Sequence, residues 1–419
     1  MKKTYLLIIA AALAFAGCSK AGPELPSDPD AWKWDESLPV PIMFGTPETE
    51  VMTKAGVSTL TDMEEIGIVG LDYSGGWKAI SEHNPGSNSG EKSPNVLIDA
   101  TQPATIDGSG NITFSKTPYY PISGSQNFTF YGFYPYSNVI YMGSSIRYYA
   151  DLTIDGKTDV LWAEAKAEDF IFRKTEDNQL YRIKGYNAAY TRRINEYDTD
   201  ADGNPSEEYI PKLKFERKLT NLTFKLRVYE SEWDGLCEAN AAVTGLGVTS
   251  YTQFQMTVAD SRDYDADGNP TFTEKANRLG GKLKPIEASV RTMDLSGVTT
   301  VTFNGAFDSG TIEEDENGRY REFDFGDALL LYPSESYPSV LTLTQGSGET
   351  IKTVSSSLNL TLGEGKSFQE GKKHVLTIII KKPEEITMKA EPLVGWEEDG
   401  DDNIIDPMNP SNETPVNLN

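Results

Sequence analysis

The sequence predicts an all-β fold built from two tandem β-sandwich domains. Short runs of alternating apolar and polar residues recur along the chain, and Gly, Pro, Asn and Asp turn signals separate them. The clearest run is 222–228, in which leucine, phenylalanine and valine alternate with threonine, lysine and arginine. Helical periodicity is scarce. A chain of 419 residues has room for about two domains of ordinary size.

The predicted sandwiches occupy residues 41–205 and 206–384, with the boundary in a polar loop. Strands are expected in the first at 66–73, 96–98, 111–114, 128–136 and 159–163, and in the second at 222–228, 301–303, 328–332, 340–343, 358–362 and 375–380. The run 375–380 is almost continuously apolar, which indicates a central strand buried on both faces.

The N-terminus has the features of a bacterial lipoprotein signal. Lys2 and Lys3 precede an apolar stretch that is too short to span a bilayer, and small residues lead to Cys18. We expect cleavage of residues 1–17 and lipidation of Cys18. An ordinary signal peptide with a chance cysteine is the alternative. Residues 18–40, rich in Pro, Asp and Ser, are expected to form a solvated tether.

Composition excludes several kinds of function. The formal net charge is −25, and it becomes −27 without Lys2 and Lys3, which argues against nucleic acid or an anionic membrane surface as a binding partner. Cys237 is the one cysteine besides Cys18, so no intramolecular disulfide is expected in the mature chain, and we predict a buried, inert thiol. With His83 and His374 as the only histidines, we predict no enzyme, catalytic residue or cofactor.

One stretch fits a calcium-binding loop by spacing. Its carboxylates and glycine follow the EF-hand order, in which alternate acidic positions and a distal glutamate surround the ion; they are Asp263, Asp265, Asp267, Gly268 and Glu274. A second copy begins at Asp198 but has Tyr209 in place of the final glutamate. Because no amphipathic helices flank either copy, acidic hairpin tips are the favoured interpretation, and no metal site is assigned.

Two further clusters have a structural and a functional interpretation. The aromatic run 128–136 suits either a sugar-stacking platform or a core strand, and aromatics at period two favour the core. The acidic cluster 397–402 suits either a cation site or a pair of glycosidase carboxylates. Because it lies in a low-complexity stretch, a solvated turn is the favoured interpretation.

Lys54 and Ala55 precede the first firm strand. As a structural residue, Lys54 is simply an exposed loop lysine. As a processing site, the bond between Lys54 and Ala55 is where a trypsin-like protease would release the leader together with a first strand.

Several segments, taken in order, make the chain resemble the fimbrillin family, the lipoprotein subunits of type V pili. They are the signal ending at Cys18, the segment 53–55, the aromatic runs 119–121 and 130–135, and the segments 159–163, 213–219 and 394–396. The resemblance implies two transthyretin-like Greek-key β-sandwiches. It also implies assembly by strand exchange, in which a protease removes a first strand and a neighbouring subunit donates another to the open groove. Ile386–Val394, within the tail 385–419, is the expected donor.

The chain departs from the family at the cleavage position. Well-known members are cut after arginine, whereas the first arginine here is Arg147. Lys54 is therefore the basic residue in the expected place. Either a lysine-tolerant protease cuts there and releases a polymerising subunit, or the chain stays uncut and lipidated as an anchor or terminator.

The favoured function is therefore a structural subunit of surface fimbriae that supports adhesion. The expected partners are other fimbrial subunits, the outer membrane through the lipid of the precursor, and a host or bacterial surface receptor. The alternative is a surface glycan-binding lipoprotein of a polysaccharide uptake system, with exposed aromatics as its site. A hydrolase that uses scattered carboxylates is the third and weakest interpretation.

Overall fold

The fold is taken from a computed structural model. The structure describes residues 39–45, 48–49, 65–72, 96–107, 111–121, 127–142, 147–165, 170–173, 180–183, 185–188, 210–260, 280–363, 365–381 and 390–393.

Strands make up most of the regular structure of these residues. Those of the first half are β1 (Glu48–Thr49), β2 (Glu65–Asp72), β3 (Val96–Asp99), β4 (Ala104–Ile106), β5 (Ile112–Phe114), β6 (Phe128–Tyr134), β7 (Val139–Met142), β8 (Arg147–Thr153), β9 (Leu161–Ala165), β10 (Phe170–Arg173), β11 (Leu180–Ile183) and β12 (Lys214–Arg217). Those of the second half are β13 (Thr220–Tyr229), β14 (Ala242–Tyr251), β15 (Gln253–Asp260), β16 (Leu283–Pro285), β17 (Val290–Asp294), β18 (Val301–Thr302), β19 (Glu313–Asp315), β20 (Gly318–Asp324), β21 (Leu329–Leu331), β22 (Ser336–Gln345), β23 (Lys352–Thr361), β24 (Lys373–Ile379) and β25 (Ala390–Leu393). One α-helix of the described residues, α1 (Glu230–Glu238), joins β13 to β14.

An eight-stranded sheet forms the centre of the first half, in the order β1-β12-β9-β6-β2-β4-β5, with β3 also paired to β2. Both of its faces are covered, so nearly every residue of β2 and β6 is buried. One face carries the N-terminal core, whose strand members include Ile66, Ile68, Phe128, Phe130, Leu161 and Phe215. Burial on both faces explains why these strands are apolar throughout rather than alternating.

A four-stranded sheet, in the order β16-β15-β8-β7, covers the other face of the eight-stranded sheet. Between the two sheets lies the middle core, which includes Val69, Tyr131, Phe133, Tyr148, Leu152, Phe254 and Met256. Strands β8 and β15 pair antiparallel over their length. Residues from both halves of the chain therefore build this sheet and its core.

The second half contains a sandwich of a six-stranded and a five-stranded sheet. The first runs β19-β20-β13-β24-β25 with β21 also on β13, and the second runs β17-β14-β22-β23 with β18 also on β14. The C-terminal core lies between them and includes Leu222, Phe224, Leu226, Val248, Leu341, Leu360 and Ile378. Helix α1 adds Trp233, whose ring meets those of Phe303 and Phe307 at 5.8 and 5.5 Å.

The all-β class predicted from the sequence is confirmed by these sheets, whose strand pairings are mostly antiparallel. Each predicted strand has an observed counterpart, and β24 lies between β13 and β25 as expected for a central strand. The transthyretin-like detail and the domain limits 41–205 and 206–384 stay predictions. Strand β12, which follows position 206, hydrogen-bonds within the eight-stranded sheet. No helix of the described residues is long and apolar enough to cross a membrane.

Candidate functional site

The N-terminal segment, residues 39–45, is attached to the first half by backbone hydrogen bonds. Pro41 forms an antiparallel bridge with Tyr119. On either side of this bridge, the N–H groups of Ile42 and Tyr120 donate to carbonyls of the opposite segment, each at 2.9 Å. The segment therefore lies in a strand-like position although it is not a regular strand.

Side chains of the N-terminal segment alternate between the interior and solvent. Ile42 is 4% exposed and belongs to the N-terminal core, whereas Met43 is 55% exposed. The ring of Phe44 packs on Phe130 at 5.2 Å, edge to face, and on Phe114 at 5.9 Å. The segment therefore contributes apolar side chains to a core formed mainly by later residues.

The chain continues from this segment to the edge of the eight-stranded sheet. The N–H of Gly45 donates to the carbonyl of Pro211 at 3.0 Å. Glu48 and Thr49 then form β1, which pairs parallel with Lys214 and Phe215 of β12. Strand β1 is the outermost strand of the sheet, so its departure would leave β12 with an unpaired backbone edge.

Irregular segments complete the N-terminal core around the N-terminal segment. Core members outside the strands are Ile42, Tyr120, Tyr186, Ala188 and Leu213. The ring of Tyr120 meets those of Phe128 and Phe130 at 6.3 and 6.2 Å. A groove lined by aromatic side chains would therefore open if residues 39–49 left.

A buried ion pair holds β12 in place from its other side. Arg217 of β12 pairs with Asp159, just before β9, and each side chain is 1% exposed. Asp159 also accepts a hydrogen bond from the N–H of Val160 at 2.9 Å. Since this attachment does not involve β1, it would persist without β1.

Strand β25 lies at one edge of the six-stranded sheet in the second half of the chain. Its four residues pair antiparallel with β24, from Ala390 opposite Ile378 to Leu393 opposite Val375. It is an edge strand, because among the described strands only β24 hydrogen-bonds to it. Part of the predicted donor Ile386–Val394 is thus paired within its own chain.

Several residues predicted from the sequence lie outside the described part of the chain. These are the lipidation residue Cys18, the processing residues Lys54 and Ala55, the calcium-like loops at 198–209 and 263–274, the acidic cluster 397–402, and the remainder of the donor segment. The described residue nearest to Lys54 on its N-terminal side is Thr49 of β1.

The aromatic run 128–136 is core, as favoured from the sequence. Phe128, Phe130 and Phe133 are fully buried, and Tyr131 is 4% exposed. The strand therefore offers no sugar-stacking platform through these rings. These buried rings therefore give no support to the glycan-binding alternative.

The remaining reactive side chains have structural surroundings. The ring of His374 packs edge-on against Phe368 at 5.2 Å, and burial together with Lys372 lowers its pKa. Cys237 is partly buried rather than fully buried, and its pKa is raised by burial and by Asp234. Among the residues that the structure describes, no group of His, Cys, Asp or Glu is arranged to hold a metal ion.

The contribution of Ile42 and Phe44 to the core was not predicted. Residues 18–40 were predicted to form a tether, and a removable first strand was predicted before Lys54, but Ile42 and Phe44 were not identified as its core residues. The alternation of Val40, Ile42 and Phe44 with Pro41 and Met43 is the signal that could have found it.

No protein-family model matches the sequence, and no curated protein matches it. Several solved structures match the chain at low sequence identity. One is a protein assigned to cell adhesion from Bacteroides uniformis, which is 14% identical with a TM-score of 0.41, over 84% of this chain and 97% of the other.

Two further neighbours are fimbrial proteins. The fimbrial anchor protein Mfa2 from Porphyromonas gingivalis is 8% identical with a TM-score of 0.31, over 82% of this chain and 91% of the other. A fimbrial protein from Bacteroides ovatus is 11% identical with a TM-score of 0.26, over 81% of this chain and 49% of the other.

These neighbours are adhesion and fimbrial proteins and not enzymes. The fimbrillin resemblance of the sequence points to the same class of protein. Because the three TM-scores are all below 0.5, the likeness carries no inference about the function of this chain. That inference has to come from the chain's own residues.

Proposed function

We propose that the protein is a structural subunit of surface fimbriae that assembles by removal of its N-terminal segment and donation of a C-terminal strand. The observation that carries this proposal is the position of residues 39–49. They supply Ile42 and Phe44 to the N-terminal core and pair with β12, yet they precede Lys54 and lie at the edge of the sheet. A cut at Lys54 would therefore detach a segment that is part of the fold.

The apolar side chains of this segment make its loss unfavourable unless they are replaced. Burying a side chain such as isoleucine or phenylalanine contributes roughly 1.5–3 kcal/mol. Removal of the segment exposes Phe114 and Phe130 and leaves backbone groups of β12 unpaired. An extended donor with apolar residues at alternate positions restores both kinds of interaction, which is β-augmentation.

Strand β25 supports the donor half of the proposal. It is short, lies at an edge and pairs with one described strand, so few backbone hydrogen bonds hold it to its own chain. Together with residues 386–389, it supplies an alternating apolar pattern in the sequence. In the proposed assembly this strand leaves β24 and enters the groove of a neighbouring subunit.

In this proposal, only the uncleaved precursor carries the lipid and is attached to the membrane. Cys18 anchors the precursor to the outer membrane, and cleavage between Lys54 and Ala55 separates the folded part from that anchor. Uncleaved chains keep their lipid and act as anchors or terminators. The completed fimbrium presents a surface for adhesion to a host or bacterial receptor.

Limited proteolysis tests the proposal. The mature chain with Cys18→Ala is treated with a trypsin-like protease, and products are analysed by mass spectrometry and unboiled gel electrophoresis. We expect loss of a fragment that ends at Lys54, followed by a ladder of multimers. Lys54→Ala should prevent both, whereas Lys33→Ala, which removes another leader lysine, should prevent neither. Multimers that form equally well from Lys54→Ala would contradict the proposal.

A peptide tests the groove separately. A synthetic peptide of residues 385–395 is added to cleaved and to uncleaved chain, and thermal unfolding is measured. The proposal predicts that the peptide raises the melting temperature of the cleaved chain only. An equal effect on both forms, or no effect on either, would count against strand donation.

A further inference from the structure

The outward face of the five-stranded sheet is almost free of charge. Strands β14, β22 and β23 contain ten residues each, and Lys352 at the start of β23 is their one charged residue. In the whole chain, 24% of residues are charged. Since alternate residues of each strand point away from the C-terminal core, the depletion concerns the outward positions as well as the core.

The strand register shows which side chains form this face. One row across the sheet is Asp294, Gly247, Val340 and Ser357, and the next is Gly245, Thr342 and Ser355. We call the surface formed by these two rows the neutral face. Asp294, at its β17 border, is its one charged side chain.

The six-stranded sheet of the same sandwich is different. On its outward face Lys225 and Arg227 bind Glu322 at 2.8 and 2.7 Å, and Arg227 also binds Asp315 at 2.8 Å. The two outer faces of the sandwich therefore differ: one carries a network of ion pairs, and the neutral face carries a single charged side chain, Asp294.

The neutral face is indented rather than flat. A cleft of about 390 Å³ lies over Gly245 and Gly247, with Val340, Thr342 and Thr292 among its lining residues. A Cβ atom at Gly247 would approach Thr292 to 2.7 Å, so a larger residue would fill the cleft. The cleft has room for side chains of a partner surface, and its lining is apolar and hydroxyl-bearing except for Asp294 at its border.

The net charge of −25 determines which partner fits. Two copies of so acidic a chain repel each other over most of their surface. On the neutral face, two copies approach with Asp294 at the border as the one acidic side chain that each contributes. Carbohydrate sites instead rely on aromatic rings and planar polar side chains, and the two rows contain neither apart from Asp294.

The edge of the neutral face also suits protein contact. Strand β23 is ten residues long and contains no proline, and Lys352 at its first position is its one charged residue. Among the described strands it hydrogen-bonds only to β22. Natural edge strands are usually protected by charge, proline or short length. Strand β19, at the edge of the six-stranded sheet, is three residues long and acidic, which is the protected kind.

We propose that the neutral face is a self-association surface, through which a second copy of this chain binds side by side. This contact is separate from strand exchange, because it involves neither the N-terminal segment nor β25. In a filament it would join subunits laterally. As a two-fold contact it is self-complementary, since each copy offers the same surface, on which Asp294 is the one charged side chain.

Sedimentation velocity on the uncleaved mature chain tests this proposal. Cys18→Ala removes the lipid and Lys54→Ala prevents strand exchange, so association of this variant is independent of the proposed function. We expect a concentration-dependent dimer that high salt strengthens or leaves unchanged, because salt screens the repulsion between acidic copies. Thr342→Glu should weaken the dimer roughly tenfold or more, because it places like charges at the contact.

The matched control is Thr153→Glu, an exposed threonine on β8 of the four-stranded sheet, which should leave the dimer unchanged. Ser357→Glu, on the exposed edge strand, should act like Thr342→Glu and guards against a folding defect of that variant. A monomer at all concentrations, or a dimer that both Thr342→Glu and Ser357→Glu leave intact, would overturn the proposal. Retardation by a neutral polysaccharide that Thr342→Glu abolishes, without a dimer, would assign the face to a glycan instead.

Discussion

The ring of Phe44 meets the ring of Phe130 edge to face, with the centroids 5.2 Å apart. Phe130 lies on β6 in the middle of the eight-stranded sheet and is fully buried. The contact thus joins a segment that precedes Lys54 to the centre of the first half. If cleavage occurs at Lys54, one partner of this contact leaves and the other needs a replacement.

Phe44→Ala should destabilise the uncleaved chain by roughly 2 kcal/mol, because a partly buried aromatic ring loses its packing. Chemical denaturation measures this change. Met43→Ala is the control, and since Met43 is 55% exposed the expected change is small. After cleavage at Lys54, the Phe44 variant and the parent should unfold alike, because residue 44 has left both. A persistent difference would mean that the segment stays bound.

Asp159→Asn should destabilise the chain by about 3 kcal/mol or more, because the charge of Arg217 stays buried without its carboxylate. The two side chains are each 1% exposed. Arg319→Gln is the comparison, since Arg319 and Glu230 form a pair with side-chain exposures of 40% and 47%. Its expected effect is below about 1 kcal/mol. Equal effects in equilibrium unfolding would contradict the structural role of the buried pair.

Glu322 should make stability depend on pH in the acid range. Burial acts to raise its pKa, and hydrogen bonds from Lys225 and Arg227 outweigh this, so the pKa is lowered. Because the pKa of Glu322 is lower in the folded than in the unfolded protein, the ionised carboxylate stabilises the folded state at pH values above the unfolded-state pKa of about 4.3. This stabilisation is lost as the pH falls through the pKa of the folded state.

Glu322→Gln should therefore reduce stability at neutral pH and flatten its decline between neutral and acid pH. The unfolding free energy measured at a series of pH values checks this. Glu349→Gln, at an exposed turn, should retain the parent's decline. If the unfolding free energy of Glu322→Gln declined with falling pH as steeply as that of the parent, the ionisation of Glu322 would not contribute to the pH dependence of stability.

Cys237 should react slowly with a thiol reagent near neutral pH. Its pKa is raised by burial and by the charge of Asp234, and only the thiolate reacts. Asp234→Asn should speed the reaction. Rates with a chromogenic disulfide across a pH series measure both effects, and a rate equal to that of a small free thiol would contradict the expected protection.

The strands that the sequence predicts best are those with one clear periodicity. Leu222, Phe224, Leu226 and Val228 alternate with polar residues and are all buried in β13. Not every polar residue of this strand is exposed to solvent, however. Arg227 takes part in ion pairs and is only 9% exposed. A side chain's own polarity does not reveal partners that come from a distant strand of the chain, such as Glu322.

Strands β14 and β15 were not predicted. Gly245 and Gly247 interrupt the apolar pattern of β14, and glycine lowers strand propensity. The pairing of β15 with β8 joins residues that are far apart in the sequence. Such long-range pairing depends on the packing of the whole chain and leaves no local signal in the sequence. The four-stranded sheet that the two halves share could therefore not be predicted.

The candidate processing residue is easier to find in the sequence than the packing of the segment that precedes it. A single lysine between a tether and the first firm strand is visible as Lys54. The packing of Phe44 on Phe114 and Phe130 is not visible, because it brings together three separate segments.

A reversible lock on the N-terminal segment tests strand exchange most directly. Pro41 and Tyr119 face each other at an antiparallel bridge and do not hydrogen-bond to each other, and such pairs have Cα atoms close enough for a disulfide. Pro41→Cys with Tyr119→Cys, in a Cys18→Ala, Cys237→Ser background, would tie the segment to its groove even after cleavage at Lys54.

The measurement is multimer formation by the cleaved, locked chain before and after reduction. Strand exchange predicts monomers while the disulfide is intact and a ladder of multimers once a reductant releases the segment. The single variants Pro41→Cys and Tyr119→Cys should form ladders under both conditions. If the oxidised, locked chain formed multimers, the groove would not need to be opened by removal of the N-terminal segment, and the proposed strand exchange would be contradicted.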